Sequence, residues 1–97
     1  MGHNRVLWGP ESFLERATSV QFGFLLTQLE LGETFVRLAA RTDDTEHQRN
    51  FIRDTHKIIY TVRRFLPACA LDASAHEELE QKLHSLGSAL DALASGA

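Results

Sequence analysis

The amino-acid sequence of 97 residues predicts an all-α protein, an antiparallel up-down-up three-helix bundle with a long first helix. Three observations carry this expectation. Apolar residues recur at alternating spacings of four and three in three separate stretches, the period of one helix face. Two breaks, Arg41–Asp44 and Pro67–Ala73, divide the stretches, and both hold the residue types that interrupt helices. Connections this short make consecutive helices antiparallel neighbours.

Residues 1–9 read as an arm. Val6, Leu7 and Trp8 are apolar and Gly9-Pro10 breaks what precedes them. Trp8 carries a large apolar surface and is expected to fold back over a bundle end; the other reading is an arm that reaches a partner. The first helix is expected over about 10–40. Proline suits the first helical turn, where its missing N–H has no intrahelical partner, and Glu11 and Glu15 lie near the positive end of the helix dipole. Two apolar stripes run along this helix. Phe13, Ala17, Val20, Phe24, Leu31, Phe35 and Leu38 form one, with Thr27 and Gln28 in its middle turn. Phe22, Leu25, Leu26, Leu29 and Val36 form the second, a third to a half turn away. We expect the first stripe to build the core and the second to be a partner interface. Gly23 and Gly32 each cost about 1 kcal/mol of helix propensity relative to Ala. Gly32 falls on the second stripe, where it would let a second backbone approach.

The second helix is expected over about 44–66, with Thr42 or Asp43 as N-cap and Glu46 completing a capping box. Phe51, Thr55, Ile58, Val62 and Phe65 form its inner face, widened by Ile52, Ile59 and Leu66. Pro67 ends it, because the residue before a proline is pushed out of helical geometry. Cys69 and Leu71 are expected to pack under the loop that follows. Ser74 with Glu77 is a capping box for a third helix over about 74–94, whose Leu79, Leu83, Leu86, Leu90 and Leu93 make a narrow seam of coiled-coil type.

Composition bounds the function classes. A chain of this length makes one domain, 1–97, with one modest core. The net charge of −3 and pI near 5.9 argue against a general nucleic-acid binder. A lone cysteine, Cys69, forms no internal disulfide and fits a reducing cytoplasm. The opening MGHNRVLWGP is too short in apolar residues for a signal-peptide core, and Gln21, Gln28, Glu30 and Glu33 interrupt the most apolar stretch, so no membrane span is expected.

Two polar groups stand out. Opposite the inner face of the second helix lie Arg49, Arg53, Lys57, Tyr60 and Arg64. Residues 45–66 hold five basic and two acidic residues, net +3, leaving −6 on the rest of the chain. Arg49, Arg53 and Lys57 follow one another at i, i+4, a like-charge ladder costing a few tenths of a kcal/mol per pair. The bland account is a solvated face steadied by Glu77, Glu78 and Glu80 and by cation–π contact with Tyr60; the functional one is a site for an anion or an acidic partner. His76, Glu80 and His84 lie four apart on the third helix, but they drift off one line and off the buried seam, so a solvated flank is expected rather than a metal site. No Glu-x-x-His, phosphate loop, nucleophile elbow or Cys-x-x-Cys is present. The sequence therefore nominates no catalytic, cofactor-binding or metal-ligating residue.

Glu33-Thr34-Phe35, Gln48-Arg49-Asn50, Tyr60-Thr61-Val62 and Phe65-Leu66 resemble stretches of short, uncharacterised bacterial three-helix proteins of unknown function. The resemblance covers about half the chain and implies no catalytic residues. The helical hairpin is also loosely similar to tetratricopeptide and other partner-binding modules, although the tetratricopeptide W-x-x-L-G-x-x-Y pattern is absent. The expected role is non-enzymatic: a cytoplasmic interaction module that forms a homodimer or docks another helical protein, with an acidic ligand on the basic face as the alternative.

Overall fold

A computed structural model places the backbone of residues 10–96 and the side chains of residues 18–95. The arm and its Trp8, and the side chains of Phe13 and Ala17, lie outside the described residues. The chain forms helix α1 (Pro10–Arg41), helix α2 (Thr45–Phe65), a 3₁₀ turn (Leu66–Ala68) and helix α3 (Ala73–Gly96). Together they make a compact all-α three-helix bundle, up-down-up, and the described residues contain no strand. At 32 residues, α1 is about 48 Å long, against about 32 Å for the 21 residues of α2.

Each helix boundary has a local cause. Leu38 O accepts the Thr42 N–H at 3.0 Å, and Ala39 O, another of the last carbonyls of α1, accepts from Gln48 Nε2 at 3.1 Å. Both carbonyls would otherwise lack an intrahelical partner. The N-cap of α2 is Asp44, not Thr42 or Asp43. Its Oδ1 accepts from the N–H groups of Glu46 at 2.9 Å and His47 at 3.1 Å. Thr42 acts one step earlier, its Oγ1 accepting the Asp44 N–H at 3.2 Å. Asp72 similarly displaces Ser74 as the capping residue of α3, its Oδ1 accepting from Ala75 N–H at 2.7 Å. In both cases the aspartate immediately before the first helical residue captures the orphan donors. Pro67 stops α2 as expected, and the chain tightens into the 3₁₀ turn.

The core is made of Leu25 and Leu29 from α1, Ile58, Ile59 and Val62 from α2, Leu66 from the turn, and Leu79, Leu83, Leu86 and Leu90 from α3. Thr55 is the buried polar residue, and its hydroxyl donates to Phe51 O at 2.7 Å, so burial leaves no unpaired donor. Phe35 and Phe51 pack their rings 5.7 Å apart at one edge of this core, within the range of favourable aromatic pairs.

The inner and outer stripes of α1 are therefore exchanged relative to the sequence expectation. The seam that faces α2 and α3 is Thr18-Phe22-Leu25-Leu29-Gly32-Val36-Ala39, an unbroken run of spacings of four and three. Small residues decide the matter. A Cβ on Gly32 would lie 2.6 Å from Leu86 Cδ2 and 3.5 Å from Ile58 Cγ2. The glycine thus serves a close approach inside the bundle, by α3, and not the approach of a second copy. Ala39 is fully buried on the same seam.

Two measurements test this account. Gly23 has open space where a Cβ would sit, so Gly23→Ala should raise unfolding free energy in urea by about 0.5–1 kcal/mol. Gly32→Ala should forfeit that gain against Leu86, and Gly32→Leu should lose about 1–3 kcal/mol by overpacking. The N–H of His47, foremost, and then the charge of His47 and the N–H of Glu46 hold the Asp44 carboxyl below its ordinary value of 3.8. A depressed carboxyl stabilises the folded state above its unfolded pKa and loses that contribution as pH falls through the folded value. The melting temperature should therefore drop as pH falls below 3.8, and Asp44→Asn, which keeps a capping oxygen without a titrating group, should flatten that part of the profile.

Candidate functional site

Phe22, Leu25, Leu26, Leu29 and Val36, expected from the sequence to meet a partner, are the bundle's own seam. Leu25 and Leu29 are 1% and 0% exposed, and Phe22, Leu26 and Val36 pack against the core. The correction has a plain cause. Two helices, α2 and α3, cover a wide arc of α1, and α3 comes close enough at Gly32 for its leucine seam to reach the second stripe. Phe35 of the other stripe keeps an inward role through Phe51.

What remains outside is a ridge on α1. Val20 is 71% exposed, Phe24 49%, Leu31 41% and Leu38 42%. On a helical wheel these four lie within roughly 40° of one another and about 140° from the seam. No charged residue lies on that strip; Thr27 is the polar member among the exposed positions. Phe65, at the end of α2, is also half exposed and extends the apolar surface across to the second helix. It joins Gln21, Phe24, Leu25, Ala68 and Cys69 in lining an open cleft of about 360 Å³. The cysteine thiol donates to Phe65 O at 3.2 Å. At the same end the loop after the 3₁₀ turn is tied back to α1 by Thr18, whose hydroxyl donates to Ala70 O at 3.4 Å.

The basic residues are assembled as the sequence predicts. Arg49, Arg53, Lys57, Tyr60 and Arg64 are all exposed on the outer face of α2. Arg64 Nη1 donates to Tyr60 Oη at 3.3 Å. The acidic residues of α3 do not steady this face: among the described residues its one ion pair is Arg53 Nε with Asp54 Oδ1, at 3.7 Å and solvent-exposed. Elsewhere His76 Nδ1 and Glu80 Oε1 approach to 3.7 Å. No group of three His, Cys, Asp or Glu among the described residues is placed to share a metal ion. No helix among them is long and apolar enough to cross a membrane.

Comparison with protein-family models, with curated proteins and with solved structures finds no match. The reading of the surface accordingly rests on this chain's own residues.

The exchange of stripes is open to direct test. Leu29→Ala and Ile59→Ala should each cost about 2–5 kcal/mol as truncations in a closed core, whereas Phe24→Ala and Leu31→Ala should each cost well under about 2 kcal/mol, because half of the side chain is already in water. Equal losses at Leu29 and Phe24 in urea unfolding would contradict the rotation of α1 described above.

Proposed function

We propose that the chain is a small helical interaction module that pairs with a second copy of itself through the outer ridge of α1. The observation that supports this reading is the alignment of Val20, Phe24, Leu31 and Leu38, each more than two-fifths exposed, on one uncharged strip. Isolated exposed apolar side chains are ordinary on protein surfaces; an aligned series with no charge among them marks a contact surface. Phe65 adds a further aromatic side chain at one end.

The chemistry of the strip also favours its occupant. It offers dispersion contacts and an almost featureless hydrogen-bonding surface, so it fits another apolar helix face. An identical ridge supplies one, and an antiparallel two-fold pairing would set Val20 near the Leu38 of the second copy. The area is modest. With a half-exposed phenylalanine leaving on the order of 100 Å² in water, the ridge and Phe65 offer roughly 450 Å² per subunit, below the roughly 800 Å² per partner of a stable complex. The association is accordingly weak and concentration-dependent.

Sedimentation equilibrium from micromolar to near-millimolar protein reads it out. The native chain should shift from monomer towards dimer across that range. Phe24→Glu combined with Leu31→Glu should stay monomeric with an unchanged helical spectrum. A native chain that is monomeric throughout would overturn the proposal.

A further inference from the structure

The outer face of α2 is a second surface, on a different helix and of opposite chemistry, so it stands or falls independently of the ridge. Arg49, Arg53, Lys57 and Arg64 follow one helix face with Tyr60 between the last two. They span about 22 Å: Arg49, Arg53 and Lys57 rise in steps of about 6 Å along the axis, and Arg64 follows about 10 Å beyond Lys57. Like charges stacked at i, i+4 weaken a helix, and nothing among the described residues compensates them fully. Asp54 reaches Arg53 alone, at 3.7 Å, and no described carboxylate ion-pairs with Arg49, Lys57 or Arg64. Tyr60 takes up one N–H of Arg64; a guanidinium has five.

We infer that this face binds an acidic helix of a partner protein. The repeat decides the shape of the occupant. Carboxylates at every third or fourth position of a helix laid along α2 would rise in step with Arg49, Arg53 and Lys57, and one a heptad further on would meet Arg64. Arginine meets a carboxylate with two parallel N–H···O bonds, and the Tyr60 ring supplies apolar cover at the middle of the contact. Nucleic acid fits less well. The face is short and Asp54 and Glu46 lie on the same helix, so it offers few cations to the closely spaced phosphates of a nucleic acid.

The test uses the full chain and a fluorescent synthetic helical peptide with Glu at every fourth position, followed by anisotropy. Saturable binding at low salt that weakens steeply as salt is added is expected. Arg53→Glu with Lys57→Glu should weaken it by about tenfold or more. Arg37→Glu with Arg41→Glu, which changes the net charge equally on α1, should retain it. Thermal melts should show both variants folded, since neither pair contributes to the buried core. Absence of saturable binding at low salt, or equal loss in the two variants, would overturn the inference. Tighter binding of a single-stranded or duplex oligonucleotide than of the peptide would overturn it in favour of nucleic acid.

Discussion

The approach of α3 to Gly32 is the constraint on which the rest of the bundle depends. Leu86 Cδ2 lies 2.6 Å from where a β-carbon would be, so the bare backbone at Gly32 is what lets this leucine seat against α1. With Gly32 facing in, Leu25, Leu29 and Ala39 follow on the same seam. The ridge of Val20, Phe24, Leu31 and Leu38 is then turned out as a matter of helical geometry. Gly32 and Ala39 are thus the small positions of the inward seam of a 32-residue helix, and the opposite ridge is left to the protein's surface. The helix-propensity cost of a mid-helix glycine, about 1 kcal/mol, is offset by the leucine packing that it admits.

The number and order of helices are legible in the sequence because they depend on short-range rules. Pro10 and Pro67 restrict the backbone wherever they occur, and leucines at four-and-three spacing on α3 have one apolar side to bury. The rotation of α1 is a different kind of question, because both of its faces are apolar. Periodicity alone does not rank a stripe holding Phe24 and Leu31 against one holding Phe22 and Leu29. Contact with two neighbours rewards shape, and the informative signal is the continuous register through Gly32 and Ala39, where small residues receive the leucines of α3. The capping residues differ from expectation for a related reason. Asp44 and Asp72 outcompete the nearby Thr42, Asp43 and Ser74 by position, and capping-box spacing alone does not rank neighbouring candidates. The basic face of α2 needs only helical periodicity, and its residues fall together as expected; the lack of partners from α3 is a tertiary fact that no spacing encodes.

Polar and apolar surfaces are divided between helices. The ridge of α1 is uncharged and the outer face of α2 is cationic, so the two contact chemistries do not compete for one set of side chains. Salt acts on them in opposite ways. Charge contacts are screened as ionic strength rises, while apolar burial is little affected or strengthened by excluded salts. The two proposed contacts would accordingly shift in opposite directions with salt while the fold stays the same.

The connector between α1 and α2 has three residues, Thr42 to Asp44, and the bond from Gln48 to Ala39 O spans nine positions of sequence. Closing so short a loop removes little chain entropy. Next to the connector the hairpin is therefore built from residues already close along the chain, while its far end, where Thr18 meets Ala70 52 positions away, and the docking of α3 bring distant ones together. Topologies of this kind belong to the low-contact-order class, in which domains reach the native state in microseconds to milliseconds. Speed of assembly follows here from the brevity of a turn as much as from the strength of the leucine core.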